Sequence, residues 1–398
     1  MKNIVSVLFS VLAMNLQAQP NSWTKINDYT GNAVSGASAF VIHDKAYLCG
    51  GYDGNSYKTS LHRYIASFDT WEKITSFPAM PRDQAIAFSI GSKGYYGSGQ
   101  GLVQYTSDFW EFDTLTLAWT QKADIGGQAR RAACGVAING KGYAGLGESA
   151  TGLLNDWWEY DPQNNTWSLK AYFGGTGRKL ASAFVVNQNC YITCGYDGHF
   201  KKDTWKYDPL NNQWSQKASF AGSARYGAVS FTIQHGGYIA LGYDTTLTYQ
   251  KDLWMYSVYT DTWTKMTDFG GTARQGAIAY VLNDVAYVGL GYDNLFDVDL
   301  WKYTPDATVG IQSYAEPIPV KVLYPNPTKD RLNIQFGKTL PLVYAEITDE
   351  RGVVQYSGTL SQTSTGIVSV ASLKPGTYFL RLSENKHNWT SKPFIKTE

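Results

Sequence analysis

The chain has 398 residues, and its charge is almost balanced, with 34 lysines and arginines against 33 aspartates and glutamates. A net charge of +1 argues against a nucleic-acid-binding protein, which normally carries a basic excess. Aromatic residues make up 15% of the chain, which excludes a disordered protein, and 39 glycines with only 17% charged residues disfavour helical bundles. What remains is a β-rich, turn-rich protein long enough for two or three domains.

The first 18 residues have the pattern of a signal peptide. A positive charge at Lys2 precedes an uncharged, mostly apolar run from Ile4 to Leu16, which is shorter than the ~20 residues that a membrane-spanning helix needs. We therefore predict a signal peptide over residues 1–18, cleaved near Ala18, with a buried N-terminal strand as the alternative. No later stretch is long and apolar enough to predict a transmembrane segment.

A repeat occupies the middle of the chain. Its markers are tryptophans that recur every 47 to 49 residues, at Trp23, Trp71, Trp119, Trp167, Trp214 and Trp263. Between them lie a strand of small residues, a Tyr-started strand that ends in glycine, a loop, and an Asp-x-Trp-x-aromatic strand. Short strands with Gly, Asn and Asp turns predict four antiparallel strands in each repeat, which is the unit of a propeller blade.

Residues 21–306 resemble the kelch repeat through a glycine that follows a tyrosine by four residues in all six copies. The glycines are Gly51, Gly99, Gly147, Gly195, Gly242 and Gly291. The resemblance implies an all-β fold, a six-bladed β-propeller. The chain opens on a lone last strand, Trp23–Ile26, and its final copy lacks one after Tyr303. We predict that the N-terminal strand completes the sixth blade and leaves no open edge; an open solenoid is the alternative.

The C-terminal region, residues 321–398, predicts a small β-sandwich after a linker over 307–320. It carries three motifs in order: Pro325-Asn326-Pro327, a turn at Gly352, and a turn at Gly376. Together they resemble the type A sorting domain of the type IX secretion system in Bacteroidetes. That resemblance implies the secretion machinery as a partner and a secreted or outer-membrane cell-surface location, whereas an ordinary appended sandwich would explain the strands alone.

The residues suited to metal or redox chemistry form no convincing site. The cysteines, Cys49, Cys134, Cys190 and Cys194, fall inside repeat strands and predict buried free thiols. The kelch fold also resembles that of galactose oxidase, whose copper site takes two histidines and two tyrosines. Only two histidines, His62 and His199, come near the corresponding face, and they belong to different repeats. We therefore expect no metal and no cofactor.

An in-register set of arginines and loop residues is the strongest candidate site. In five repeats an arginine lies thirteen residues before the tyrosine of the second strand: Arg82, Arg130, Arg178, Arg225 and Arg274. Four loops carry Tyr-Asp after the repeated glycine: Tyr52-Asp53, Tyr196-Asp197, Tyr243-Asp244 and Tyr292-Asp293. If the first strand is innermost, these groups surround one mouth of the channel, where they could bind a sugar or a carboxylate.

A structural interpretation competes with ligand binding for these arginines. The third strand starts with an aspartate in the same five repeats: Asp108, Asp156, Asp203, Asp252 and Asp299. The first repeat lacks both members and has Val34 and Ser60 instead. A ring of unpaired guanidinium groups would be costly through mutual repulsion. We therefore predict that most of these arginines pair with the aspartate of their own blade, with an anion-binding ring as the alternative.

The sequence predicts three functions in order of preference. The first is an exported binding module for a glycan or a protein partner, with no catalytic residue identified. The second is a carbohydrate-active enzyme of the sialic acid mutarotase or lyase type that uses the channel mouth. This second prediction rests on likeness of fold alone. The third is an adhesive or structural protein of the cell envelope.

Overall fold

The computed structural model describes residues 21–305, 320–349, 353–383 and 390–398. The chain divides into two compact units, with the boundary between Gly310 and Ile311. The predicted signal peptide, almost all of the predicted linker, and Gly352 lie outside the described residues. Val320, assigned to the linker by the sequence, begins a strand instead.

The first unit is built from four-stranded antiparallel sheets, which we call blades. It opens with β1 (Ser22–Ile26). Blade 1 consists of β2 (Ser38–Ile42), β3 (Lys45–Cys49), β4 (Ser60–Ile65) and β5 (Thr70–Ser76). Blade 2 consists of β6 (Ile86–Ile90), β7 (Lys93–Gly97), β8 (Phe109–Asp113) and β9 (Ala118–Lys122).

The next two blades follow the same order of strands. The two-residue β10 (Arg130–Arg131) precedes blade 3, which consists of β11 (Cys134–Ile138), β12 (Lys141–Gly145), β15 (Trp157–Asp161) and β16 (Thr166–Leu169), with β13 (Glu148–Ser149) and β14 (Gly152–Leu153) in its loop. Blade 4 consists of β17 (Ser182–Val186), β18 (Asn189–Thr193), β19 (Thr204–Asp208) and β20 (Gln213–Lys217).

The last two blades complete the first unit. The short β21 (Arg225–Tyr226) precedes blade 5, which consists of β22 (Val229–Ile233), β23 (Gly236–Ala240), β25 (Leu253–Ser257) and β26 (Thr262–Lys265), with β24 (Tyr243–Asp244) in its loop. Blade 6 consists of β27 (Ile278–Leu282), β28 (Val285–Gly289), β29 (Leu300–Thr304) and the N-terminal β1. The pairing of β1 with β29 runs from Ser22 opposite Thr304 to Ile26 opposite Leu300.

Two sets of backbone hydrogen bonds join the blades into a closed ring. In the first, the donor is the N–H two residues after each in-register arginine, or two residues after Val34 in blade 1, and the acceptor is the carbonyl of the equivalent residue in the preceding blade, at 2.8 to 3.1 Å. The set closes on itself through Gly36, Gln84, Ala132, Leu180, Gly227 and Gly276. In the second, each repeated glycine donates to a carbonyl of the next blade, as Gly99 does to Arg130 at 2.8 Å. The first strands of neighbouring blades also pack side by side all the way round. The described part of the chain therefore forms a ring of six blades, not an open solenoid.

The ring explains why glycine recurs at the end of each second strand. At Gly99, φ is +103°, and an added Cβ would lie 2.6 Å from the carbonyl oxygen of Asp83. A side chain would both strain the backbone and push the chain away from the neighbouring segment. The absence of a side chain thus keeps this loop close to the segment before the first strand of its own blade, and from there the N–H of Gly99 reaches Arg130 of the next blade.

The second unit contains five strands: β30 (Val320–Tyr324), β31 (Arg331–Asp349), β32 (Val354–Ser369), β33 (Gly376–Ser383) and β34 (Thr390–Lys396). The long β31 pairs with β30 near its start, with β33 near its end, and with β32 along both halves. Leu332 and Ile334 from the first half and Val343 and Ile347 from the second are fully buried in one core. The Pro325-Asn326-Pro327 motif contacts the last strand, because Asn326 Oδ1 accepts a hydrogen bond from the backbone N–H of Ile395 at 2.9 Å.

Candidate functional site at the channel mouth

The five in-register arginines lie where the second strand of a blade ends and the first and third begin, because neighbouring strands are antiparallel. Each guanidinium binds the aspartate of its own blade through two hydrogen bonds: Arg82–Asp108, Arg130–Asp156, Arg178–Asp203, Arg225–Asp252 and Arg274–Asp299. The Nη2–Oδ2 distances run from 2.7 to 3.2 Å. The structure thus places the predicted partners together in all five blades.

Arg178 shows that the hydrogen-bond donors of these arginines are occupied by groups of the protein. Its Nη1 also donates to the carbonyl of Cys194 at 3.1 Å, its Nε donates to the carbonyl of Thr176, and its guanidinium lies over the ring of Phe173. All five side chains are at most 1% exposed. This burial argues against the interpretation of the arginines as a ligand-binding ring, because their donors are already occupied and a ligand cannot reach them.

In two of these pairs the arginine lowers the pKa of its aspartate. Burial alone would raise the pKa of Asp108, but the hydrogen bonds and the charge of Arg82 outweigh it and hold that pKa below its ordinary value. The same balance holds the pKa of Asp203 low beside Arg178. Both aspartates therefore stay ionised in the folded protein at neutral pH.

Blade 1 fills the corresponding space without charges. Val34 and Ser60 stand at the arginine and aspartate positions, and the hydroxyl of Tyr29 hydrogen-bonds His62 Nδ1 at 2.7 Å. Tyr29 stands where four other blades have the phenylalanine beneath the arginine and blade 3 has Ile125, and its ring occupies the space that a Cβ on Gly31 would need. A neutral tyrosine–histidine pair thus replaces the ion pair.

The aspartates of the Tyr-Asp loops accept hydrogen bonds from backbone N–H groups of their own loops. Asp53 Oδ1 accepts the backbone N–H groups of Asn55 and Ser56, and its other oxygen pairs with Lys58. Asp197, Asp244 and Asp293 accept the N–H two residues ahead in the same way. Their prediction as ligand-binding residues is therefore not supported, because these carboxylates are used to fix the turns.

The tyrosines of these loops join other rings in what we call the aromatic arc. It comprises nine half-buried rings from blades 4, 5, 6 and 1: Tyr196, Phe200, Tyr226, Tyr243, Tyr249, Tyr292, Phe296, Tyr52 and Tyr57. Successive ring centroids are 4.9 to 6.3 Å apart. The arc forms a continuous aromatic surface along more than half of the mouth.

The rest of the mouth is lined by residues that the sequence analysis missed. They occupy the position after each in-register arginine and the position after each repeated glycine. In each blade these two positions pair across a short antiparallel bridge. In blades 2 to 4 these positions supply what we call the charged arc: Asp83, Gln100, Arg131, Glu148 and Lys179. The repeat register could have revealed them, since each lies one residue from a marker already recognised.

The charged arc is connected across blades. Arg131 Nη2 donates to Glu148 Oε2 at 2.6 Å, and Lys179 Nζ donates to Glu148 Oε1 at 2.9 Å. Arg131 also donates to the side-chain oxygen of Gln100 and lies over the ring of Tyr105 at 5.1 Å. The side chains of Arg131, Glu148 and Lys179 are 22 to 24% exposed, so this cluster, unlike the arginine ring, is open to a ligand.

Asp83 is the acidic residue of the charged arc with an unusual environment. Its Oδ1 is buried and accepts no hydrogen bond, while Oδ2 receives only the amide of Gln84 at 3.3 Å. Burial raises the pKa of Asp83 to about 6, although the charge of Arg131 acts in the opposite direction. The mouth therefore holds a carboxyl group that titrates close to neutral pH.

The channel behind the mouth is narrow. It encloses about 240 Å³ and is lined by three consecutive residues from each blade, mostly alanine and serine. Ser38, Ser182 and Ser230 donate their hydroxyl groups to backbone carbonyls of neighbouring blades. These hydroxyl groups are therefore already engaged as donors within the channel wall.

The cysteines are all buried, and burial raises the pKa of Cys49, Cys134 and Cys194 to about 12. Among the described residues, no three His, Cys, Asp or Glu side chains are grouped to hold a metal ion. Nor does the described part of the chain contain a helix with the length and apolar character to cross a membrane.

Comparison with protein families gives two matches. The kelch motif matches residues 33–78 and 177–221, and the secretion system C-terminal sorting domain matches residues 322–396. The chain is therefore a kelch propeller with a type IX secretion sorting domain, and it is secreted or attached to the cell surface. No curated protein matches the sequence.

Among solved structures, the fold is similar to that of YjhT. The two share 15% sequence identity with a TM-score of 0.60, over 69% of this chain and 95% of the YjhT chain. At this identity the similarity shows the fold alone.

Proposed function

We propose that this exported kelch propeller binds a carbohydrate at its channel mouth. The observation that supports this proposal is the juxtaposition of the two arcs: half-buried aromatic rings on one side and partly exposed hydrogen-bonding side chains on the other. Sugars offer both an apolar face of C–H groups and a rim of hydroxyl groups, and a site that combines rings with a few polar groups suits both.

The proposal assigns roles to the two arcs. Rings such as Tyr226 and Tyr249 stack against the apolar face of the sugar, while Gln100 and Glu148 hydrogen-bond its hydroxyl groups. The aromatic contacts supply most of the affinity, because large rigid side chains lose little conformational freedom on binding. The propeller, taken as residues 21–306, carries the site, and the sorting domain delivers it through the secretion machinery.

Binding of the purified protein to a panel of immobilised glycans tests this function. We expect Tyr249→Ala and Tyr226→Ala each to weaken binding of a captured glycan about tenfold or more. The matched control is Tyr259→Ala, which removes a 46% exposed tyrosine from the turn between the third and fourth strands, at the opposite end of blade 5. Unchanged affinity in both mouth variants would remove the aromatic arc from the site.

A second candidate function, a carbohydrate-active enzyme, is favoured by the environment of Asp83. A carboxyl group with a pKa of about 6 is suited to proton transfer near neutral pH. Incubation of the purified protein with the glycans that it captures, followed by mass spectrometry and NMR of the products, tests this candidate. Turnover that is lost in Asp83→Asn supports an enzyme. If the glycans are unaltered, the enzyme function is rejected and only the binding function remains.

A further inference from the structure

Two cations of the charged arc donate hydrogen bonds to the same carboxylate. Glu148 is the shared acceptor of Arg131 and Lys179, so two cations divide one carboxylate between them. The remaining contacts of Arg131 are neutral, with Gln100 and the ring of Tyr105. Asp83, the second carboxylate of the arc, lies within range of the charge of Arg131 but accepts no hydrogen bond from it. An anion that accepts hydrogen bonds from Arg131 and Lys179 is therefore favoured beside this cluster, because Glu148 alone serves both cations as an acceptor.

This cluster lies next to the aromatic arc. Lys179 pairs across the antiparallel bridge with Tyr196, the first ring of that arc. Residues opposed in this way have Cβ atoms roughly 5 Å apart. An anionic group on a sugar that is stacked near Tyr196 can therefore reach the ammonium group of Lys179 directly.

We propose that the mouth selects an acidic saccharide, whose carboxylate or sulfate group binds at Lys179 and Arg131 while its ring stacks on the aromatic arc. This inference rests on the proposed carbohydrate-binding function and names the class of ligand. Carboxylate and sulfate groups both present anionic oxygen atoms. The planar guanidinium of Arg131 and the ammonium group of Lys179 can donate hydrogen bonds to either group.

Asp83 gives the site a dependence on pH. The charged or titratable groups that act on it are Arg131 from blade 3, the hydroxyl of Tyr57 from blade 1, and Tyr96 from its own blade. Below about pH 6 Asp83 is neutral, and the arc then opposes two cations with Glu148 alone. Binding of an acidic saccharide therefore tightens as the pH falls through 6, by about fivefold for one nearby charge.

The test compares three oligosaccharides of one backbone, in neutral, carboxylated and sulfated forms, by calorimetry with the full-length protein at constant ionic strength. We expect the anionic forms to bind more tightly, and Lys179→Met to weaken their binding about tenfold while changing that of the neutral form less than twofold. The matched control is Lys93→Met, which removes an ion-paired lysine from the start of β7, at the end of blade 2 that faces away from the mouth. Asp83→Asn is expected to abolish the change in affinity between pH 5 and pH 7.5.

The outcomes separate this inference from the proposed function. Tighter binding of either anionic form, lost in Lys179→Met, supports it. Equal affinity for all three forms, with binding still lost in Tyr249→Ala, overturns the choice of acidic ligand and leaves carbohydrate binding standing. Failure of every form to bind overturns both.

Discussion

At the scale of single residues, the turn before each last strand contains a left-handed residue that links blades. Asn165 is representative: its Oδ1 accepts the hydroxyl of Tyr160 in its own blade and the backbone N–H of Ala123 in the preceding one, both at 2.9 Å. The equivalent residues are Asn21, Asp69, Asn212 and Asp261, whereas blade 2 has Leu117 with φ of +56°. Leucine tolerates this conformation poorly and offers no acceptor.

Replacement of Leu117 by asparagine is therefore expected to stabilise the protein. Asparagine relieves the left-handed strain and can supply the missing backbone contact, for a gain of about 1 kcal/mol in the free energy of unfolding. Urea denaturation measures it. The control is Leu115→Asn, which makes the same change at an 87% exposed position where φ is not positive; a similar gain there would refute the conformational explanation.

Asp83 makes the stability of the propeller depend on pH. Its folded pKa of about 6 lies above its unfolded value, so the folded state holds the proton more tightly, and stability falls as the pH rises from about 4 to 6. In Asp83→Asn this loss disappears, and we expect the variant to exceed the natural protein by about 2 kcal/mol at pH 7 but not at pH 4. Melting curves across that range measure the difference, and parallel curves for the two proteins would contradict it.

At the scale of elements, each of the five in-register arginines makes hydrogen bonds to two blades. Its side chain binds the aspartate and the end of the second strand in its own blade, and its backbone carbonyl accepts the repeated glycine of the preceding blade. Blade 1 achieves the same fold with a neutral set, because the hydroxyl of Tyr29 and the ring of His62 occupy the space. The ion pair is therefore one of two solutions to the same packing problem.

Breaking one member of a buried ion pair is expected to be costly. Arg178→Met leaves Asp203 without its cation in a partly buried position, and we expect a loss of about 3 kcal/mol. Transplanting the blade 1 set into blade 4, as Phe173→Tyr, Arg178→Val, Asp203→Ser and Trp205→His together, should recover most of that loss. Gly175 already provides the space beside the new tyrosine, as Gly31 does in blade 1. A transplant as unstable as the single variant would show that the charge itself is required.

At the scale of the whole molecule, the ring is closed by a strand from the other end of the chain. Trp23 on β1 packs against Phe269 and Tyr303, and its indole N–H donates to the carbonyl of Thr267 at 3.1 Å. Trp167, which lies in a blade of contiguous sequence, makes the matching bond to Ala123 of the preceding blade at 3.0 Å. The closing blade is thus built like the others.

We expect Trp23→Ala and Trp167→Ala to cost the same, about 3 to 5 kcal/mol each in the free energy of unfolding. Equal costs mean that the closing strand stays in place until the propeller unfolds as a whole. The rate at which Ellman's reagent labels the buried thiols reports that event. A much smaller cost for Trp23→Ala would show that the N-terminal strand detaches on its own.

The repeat and its register were readable from the sequence because they are local. The tryptophan spacing and the glycine four residues after each tyrosine predicted the all-β propeller, and the complementary ends predicted the pairing of β1 with β29. The first repeat lacks both the arginine and the aspartate, and this shared exception predicted that the two residues pair in the other five repeats. Each inference needed only the position of a residue within its own repeat.

The composition of the mouth was decided by the tertiary structure. Asp83, Arg131 and Lys179 occupy the same repeat position in three blades but differ in side chain and charge, and ring closure brings them to one rim. The arginines are buried beside the aspartates of their own blades, and the loop aspartates accept N–H groups of their own turns, so these residues, although prominent in the sequence, are structural. The near-neutral net charge is in part the sum of paired buried ions, and the groups left for a ligand depend on which side chains the ring exposes. Exposure is a property of the closed ring, and no single repeat contains it.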